Sequence, residues 1–352
     1  MDAEMWHHQA TAATVVAPQP VTAADLDAMS PLGRSTYADA VRAALRAQRV
    51  SSPVHNATAT AIDRALESAL LEPPGARTIL ALSAPYTAGK STLIKSWAQD
   101  RYRTWANATR STRPRWTPKP GVTADLVPVC YLTLLSESRS KDLYTQILSF
   151  VGYPASGVER TLALRAVKAL QTHGVRLVIL DDAHMLRTTS VTGRATLNAV
   201  KHLNTELGEV GGVLMLVGAE LTGGDVLSDP QIRGRLSEHT LAPYEVDTAT
   251  GRAQWQRFLK NCEDLLLPYL PNEEAGLFSS RLAGYLWRRT QGYVGDTTRL
   301  LIDATAAAIE AGAPLERAIL DPIWVSQRAQ DAQIDAIRSK TARRAATRRA
   351  SR

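Results

Sequence analysis

Cysteine is nearly absent. Cys130 and Cys262 are the two in 352 residues, and they lie far apart. Neither a disulfide framework nor a cysteine-based zinc module can be built from them, and a reducing compartment is expected. Long apolar runs are missing too. No stretch approaches the ~18 residues a membrane helix needs. The opening MDAEMWHHQA has neither the basic start nor the apolar stretch of a signal peptide, so a soluble, cytoplasmic protein is expected. What is present is ordinary globular composition, 45% hydrophobic and 21% charged. That excludes fibrous and globally disordered classes, and the length suits one large domain or two packed ones.

Acid is missing from two places. The last fifteen residues, RSKTARRAATRRASR, hold seven basic residues and no carboxylate. Residues 101–124 hold six more basic residues, again with no acid. Without both stretches the chain has 28 basic against 34 acidic residues, a net charge of −6. An acidic body therefore carries two concentrated basic segments, the pattern an electrostatic contact with a polyanion requires. Solvated surface gives the same pattern.

The hydrophobic periodicity divides the chain. Residues 1–21 are polar and Ala-rich and are expected to be disordered. Residues 22–75 read as an N-terminal helical segment, with YADAVRAALRAQR and 58–71 at helical spacing and Glu72-Pro73-Pro74-Gly75 as a breaker. Residues 76–246 alternate strand and helix. Strands are expected at 78–83, 126–132, 175–180 and 213–218, and helices at 90–103, 141–151, 158–172 and 193–208. Apolar strands alternating with helices predict an α/β fold, a parallel sheet covered on both faces. Residues 247–325 read as helix only, at 250–266, 275–290 and 296–312, with a last helix at 321–337 running into the basic tail 326–352.

Strand 78–83 runs into Ala84-Pro85-Tyr86-Thr87-Ala88-Gly89-Lys90-Ser91-Thr92 and then a helix, the setting of a phosphate loop. Backbone N–H groups from Tyr86 to Thr92 would wrap the phosphates, with the helix start supplying its positive end. Gly89 leaves room for close approach, Lys90 neutralises the terminal phosphates, and Ser91 offers its hydroxyl to Mg²⁺. Ala84 stands where the strict pattern has glycine, which is acceptable if its φ is negative.

Ninety-one residues after Lys90, the apolar run Leu177–Leu180 ends in Asp181-Asp182-Ala183-His184. A carboxylate at the end of a buried strand can hold Mg²⁺, and Asp181 takes that role. Asp182 follows where a second carboxylate would orient or deprotonate the attacking water. Binding of ATP or GTP is expected.

At these residues the chain resembles the AAA+ ATPases, and among them the TniB/TnsC family of transposition regulators. The likeness spans about residues 45–315. It rests on the order of SAPYTAGKST, LYTQILSFVGYP, LVILDDAHML, NAVKHLNTEL, VLMLVGAE, DPQIRGRL and GYVGDTTRLLIDATAAAIEAG. The resemblance implies an AAA+ core with a C-terminal helical lid, ATP as the nucleotide, and oligomers, ring or helical filament, on double-stranded DNA. Transposase and target-selection proteins would be partners. Arg235 matches the family's arginine finger, with Arg233 as second choice, and Arg299 falls near the sensor-2 position. The sensor-1 position, usually polar, here reads Gly218-Ala219-Glu220. Asp182 stands where the family has glutamate, and the lost methylene suits slow, switch-like hydrolysis. His184 matches the family signature.

For DNA, segment 101–124 interleaves Trp105 and Trp116 with arginines, and Arg110, Arg113, Arg115 and Lys119 are the candidate contacts. Arginine binds phosphate bidentately, and tryptophan can stack or pack. By resemblance, the turn holding Ser136, Arg139 and Lys141 is a second candidate. No helix-turn-helix or zinc finger is recognisable, so backbone binding without sequence readout is expected. An AAA+ loader or initiator in replication or repair, and a nucleotide-dependent signalling scaffold without DNA, are the alternatives.

Overall fold

The computed structural model describes residues 1–13, 15–135, 139–186 and 191–335. Ser136 and the basic tail 338–352 lie outside them. In chain order the helices and strands are α1 (Ala3–Ala10), α2 (Ala23–Ala28), α3 (Pro31–Ala47), α4 (Pro53–Leu70), β1 (Ile79–Ala84), α5 (Lys90–Ala106), β2 (Arg115–Lys119), β3 (Val122–Asp125) and β4 (Val129–Thr133). Then follow α6 (Ser140–Phe150), α7 (Glu159–Thr172), β5 (Leu177–Asp181), α8 (Val191–Glu209), β6 (Val213–Ala219), α9 (Asp225–Ser228), α10 (Pro230–Arg233) and β7 (Leu236–Thr240). The rest is α11 (Ala249–Leu266), α12 (Ala283–Thr290), α13 (Val294–Ala311) and α14 (Arg317–Leu320), with a further helical stretch at 327–335.

These elements form two compact units, residues 1–13 with 57–242, and residues 14–56 with 243–352. In the first, five strands pair in the order β4-β5-β6-β1-β7, every pair parallel. β1, β5 and β6 are buried at every residue, which requires cover on both faces and explains their unbroken apolar runs. Helices α1 and α5 pack together, as do α6, α7 and α8.

Two elements here are new relative to the sequence reading. Among the described residues β7 (LSEHT) pairs only with β1, and it is half-exposed along its length. An edge strand needs no apolar run, so hydropathy does not reveal it. β2 and β3 form an antiparallel hairpin about the left-handed Gly121. The basic segment 101–124, with Pro114, Pro118 and Pro120, is therefore neither long helix nor plain loop. Helix α5 takes its first six residues, 101–106.

The expectation of a disordered 1–21 is corrected at α1. Asp2 caps this helix by accepting from the Met5 N–H at 2.8 Å, and Ala3, Trp6, His7 and Ala10 are buried along one face. Four buried positions at helical spacing suffice to dock a short helix that would be marginal alone.

The second unit is helical. Its core gathers Leu45 of α3, Phe258 and Leu259 of α11, Leu286 of α12 and Leu300 and Leu301 of α13, all fully buried. The expected segment 22–75 is thus divided, because α2 and α3 bury their apolar faces in this unit while residues 57–75 belong to the first. The expected helix at 275–290 is broken into a π-helical turn, Leu277–Arg281, and α12. Fully buried Glu263 accepts from the N–H groups of Phe278 and Ser279, both at 2.7 Å, and fixes that turn. Likewise, residues 321–326 are not helical, and the helix expected from 321 begins at 327, after the short α14.

Candidate nucleotide site

The loop after β1 is made from backbone choices. Ala84 ends the strand paired with Ala219 and is not among the residues of positive φ, so its methyl group meets no conformational penalty. Thr87 and Gly89 are left-handed, at φ 65° and 88°. Gly89 is the N-cap of α5 and makes no side-chain cap bond. The first N–H groups of a helix have no partner within it. Lys90, Ser91 and Thr92 open α5, so their N–H groups are of this kind. A cradle of amides at a helix start is an anion site. Ala88 is buried, while Tyr86 is 56% exposed.

Opposite the loop, β5 ends in Asp181, 3% exposed. Its Oδ1 accepts from the Asp182 N–H at 2.9 Å and its Oδ2 from the Tyr131 hydroxyl at 2.5 Å. Asp182 is left-handed, φ 58°, and this conformation turns its carboxylate off the strand. Its Oδ1 lies 3.6 Å from Lys90 Nζ and 3.9 Å from His184 Nδ1. Residues distant in sequence are thereby brought together as a cation and two carboxylates at one end of the sheet.

His184 Nδ1 accepts from the Ala219 N–H at 3.3 Å, which assigns the ring proton to Nε2. Tyr86 meets the ring edge-on at 5.8 Å. Gly218 lets the chain at His184 come close, since a Cβ there would lie 3.0 Å from the His184 backbone nitrogen and from the Leu221 side chain. The end of β6, where a polar sensor-1 residue was sought, is thus used to seat His184.

The donor set suits a magnesium nucleotide. Mg²⁺ prefers one or two protein oxygens together with substrate phosphates and water. Buried Asp181 and the Ser91 hydroxyl at the helix start are such a set, and the amide cradle suits phosphate. Among the described residues no group of three His, Cys, Asp or Glu side chains gathers to hold a metal by itself.

Arg235 sits elsewhere. It is exposed and directly precedes β7, and its carbonyl accepts from the Ile79 N–H at the start of β1. The loop follows the far end of that strand, roughly 20 Å away at about 3.3 Å per residue. Arg233, also exposed, closes α10. Asp229 caps α10 and accepts from Lys201 of α8 at 3.0 Å. Burial would raise its pKa, but Lys201 and the Gln231 and Ile232 amides outweigh that and hold it low. Arg299 lies in the helical unit, exposed, over the Trp324 ring at 5.1 Å and 3.9 Å from Asp303.

The six candidate DNA contacts do not form one patch. Arg110, Arg113, Arg115 and Lys119 lie on the segment leading to the start of β4, at the amino end of the sheet. Arg139 and Lys141, both exposed, open α6 just past the carboxyl end of β4. Asp125, one residue beyond the acid-free stretch, takes Arg113 at 3.0 Å and Arg115 at 3.7 Å. Both tryptophans are committed within the fold. Trp116 donates its indole N–H to the Thr172 carbonyl at 2.9 Å and packs on Gly174, and Arg176 covers the Trp105 ring at 4.6 Å. Of stacking and packing, the structure selects packing.

Sequence reasoning missed Tyr131, the donor to Asp181. It stands in LVPVCYL with nothing local to mark it. Only the pairing of β4 beside β5, which sets Thr133 against Asp181, puts its hydroxyl at that carboxylate. Among the described residues no helix is long and apolar enough to cross a membrane.

Comparison with solved structures finds the Aeropyrum pernix ORC2 protein in ADPNP–ADP complexes, at 15% identity and TM-score 0.49, covering 76% of this chain and 66% of that one. It also finds the Walker-type ATPase PABY2304 of Pyrococcus abyssi, at 14% identity and TM-score 0.47, covering 82% and 76%. Drosophila ORC bound to DNA aligns at 13% identity and TM-score 0.46, covering 77% and 66%. The chain spans just under two thirds of the length of the first. No curated protein sequence matches it. A family model described as "Bacterial TniB protein" matches residues 45–246, more than half of the chain and all of the parallel sheet. With the whole parallel five-stranded sheet lying inside the matched residues, the chain belongs to the TniB family.

Proposed function

We propose that this protein binds and hydrolyses ATP with Mg²⁺ and uses the cycle to assemble on and leave double-stranded DNA as a regulator of transposition. The observation that carries the reading is the meeting of Lys90, Asp181 and Asp182 at the phosphate loop. The loop from Tyr86 to Thr92 cradles the phosphates, Lys90 neutralises the terminal ones, and Ser91 and Asp181 hold the metal. A bound magnesium ion supplies charge neutralisation at the phosphoryl oxygens. Asp182 orients the attacking water and accepts its proton as the bond to the γ-phosphorus forms and the bond to the leaving ADP oxygen breaks. Its short side chain makes hydrolysis slow, which suits a switch. Arg299 of the helical unit is the sensor-2 candidate that the family resemblance implies.

Arg235 completes the site of the next subunit. A finger at the amino end of the sheet cannot serve a loop at the carboxyl end of the same sheet, so the interface is head-to-tail. Such contacts give closed rings or open helical filaments. Exposed Arg139 and Lys141, together with Arg110 and Lys119, supply sequence-independent contacts to DNA phosphates. The assembled protein then presents the target to transposase and target-selection proteins, and hydrolysis releases it.

The test combines nucleotide binding, turnover and DNA co-sedimentation on the full chain. Wild type should sediment with duplex DNA in ATP and not in ADP. Lys90→Ala should lose nucleotide binding, and Asp182→Asn should bind ATP, hydrolyse on the order of 100-fold slower and persist on DNA. Equal DNA binding with and without nucleotide would overturn the switch, and unchanged nucleotide affinity in Lys90→Ala would overturn the site.

A further inference from the structure

The N-terminal helix reaches the metal-binding carboxylate through one aromatic residue. Trp6 of α1 is fully buried and stacks on Tyr131 with ring centroids 5.3 Å apart and planes 16° from parallel. The Tyr131 hydroxyl donates to Asp181 Oδ2 at 2.5 Å. Lys95 of the phosphate-loop helix lies over the same Tyr131 ring at 5.7 Å. The docking of α1 has its own polar contacts, both to α5. His7 Nδ1 is 3.0 Å from the Tyr102 hydroxyl, and Arg103 donates to the Ala10 carbonyl at 2.8 Å.

We infer that Tyr131 is a positioning residue for the metal-binding Asp181, and that α1 holds it in place through Trp6. With the Asp182 amide on one oxygen and Tyr131 on the other, the carboxylate has a fixed plane, and its remaining lone pairs are aimed at the site. Outer partners of this kind orient metal ligands, and their loss typically costs 10- to 100-fold in metal affinity. Trp6 is the clamp. Without the stacked indole the Tyr131 ring has a void on one face and is free to leave the one rotamer that reaches Asp181. The N-terminal helix, outside the region 45–246 that matches the family model, thereby sets how tightly the core holds its metal. The inference rests on the metal role proposed for Asp181.

The experiment titrates Mg²⁺ into full-length protein with a fluorescent ATP analogue, starting in EDTA, for wild type, Tyr131→Phe, Trp6→Ala and Asp181→Asn. Tyr131→Phe should leave affinity in EDTA unchanged and raise the Mg²⁺ concentration for half-maximal tightening on the order of 10-fold. Trp6→Ala, which touches neither nucleotide nor metal, should shift it the same way by a smaller factor. A merely structural role would lower melting temperature and weaken binding equally with and without Mg²⁺, and that result overturns the inference. An Mg²⁺ response absent from Asp181→Asn but unaltered in both aromatic variants would overturn the inference and leave the site standing. An Mg²⁺ response retained in full by Asp181→Asn would overturn the underlying site assignment as well.

Discussion

At the carboxyl ends of β1, β5 and β6 the backbone is bent into unusual shapes. Thr87, Asp182 and Glu220 all have positive φ there, as does Gly89. The side chains at that end converge, with Lys90 3.6 Å from Asp182 and Asp181 bonded on both oxygens. At the amino end of the same sheet, Arg235 is exposed before β7, and Arg113 and Arg115 share Asp125 ahead of β4. Parallel sheets place ligands at the carboxyl ends, where loops and helix starts meet. What lies at the opposite end faces away from the loop after β1, so in the proposed reading it acts on a neighbouring molecule. Three of the five non-glycine residues of positive φ among the described residues, Thr87, Asp182 and Glu220, sit at the end where chemistry is proposed.

The strongest way to break this contrast is Arg235→Ala. If the amino end serves a neighbour, turnover should fall on the order of 1,000-fold, as for other trans-acting fingers, while nucleotide affinity stays within about two-fold. Mixing this variant with Lys90→Ala should restore part of the turnover, because some interfaces then pair an intact loop with an intact finger. Steady-state hydrolysis of the mixture is the measurement, and no recovery would place Arg235 outside the site.

The carboxyl end is tested next by Gly89→Ala. At φ 88° a Cβ costs about 1–2 kcal/mol, so nucleotide affinity should drop about 10-fold. An unchanged affinity by titration would mean the loop relaxes and its shape is not demanded by phosphate.

The loop itself was legible in the sequence. Gly89, Lys90 and Ser91 are consecutive, and their conformation follows from local chemistry, a strand that ends and a helix that begins. The aspartate pair was legible because a buried strand must be apolar until the residue where it meets the site. β7 was not, since an edge strand carries no apolar signature. Nor was α1, whose Trp6 has a meaning only once Tyr131 lies beneath it. The charge reading of 101–124 found the arginines but not their neighbour Asp125 or the inward turn of both tryptophans, because charge counting does not see pairing or packing.

A third expectation concerns pH. Burial first, then the nearby charges of His8 and Arg113, hold the pKa of His7 below the ordinary histidine value of 6.5. Below about pH 6.5 the unfolded chain therefore binds more protons than the folded one at this residue, and stability falls as pH falls. Above that pH the contribution is fully present. Wild type should lose more melting temperature between pH 7.5 and 5.5 than His7→Gln does. His239, also held low by burial, is common to both and cancels in the comparison. Equal losses would detach α1 from any pH response.

The smallest effect sharpens the amino end. Arg110 is exposed and has no ion-pair partner among the described residues, whereas Arg115 lies 3.7 Å from Asp125. If this face meets DNA, Arg110→Ala should reduce the slope of log K against log salt by about one, and Arg115→Ala by less. Equal slopes for both variants and wild type would move the DNA contact to Arg139 and Lys141.

The sequence by itself determined the class of the protein. Local chemistry dictates a strand–loop–helix turn with left-handed Gly89, and apolar runs dictate buried parallel strands, so the sheet and the proposed nucleotide end could be read from the sequence. Only the tertiary structure decided which residues serve that end from a distance. Tyr131 meets Asp181 across fifty positions of chain, and Arg235 stands beside Ile79 at the opposite edge. Strand order and register create both relations, and they depend on how the whole sheet assembles. The same holds for α2 and α3, whose helical periodicity is local but whose partners in the helical unit are set by which apolar faces remain to be covered.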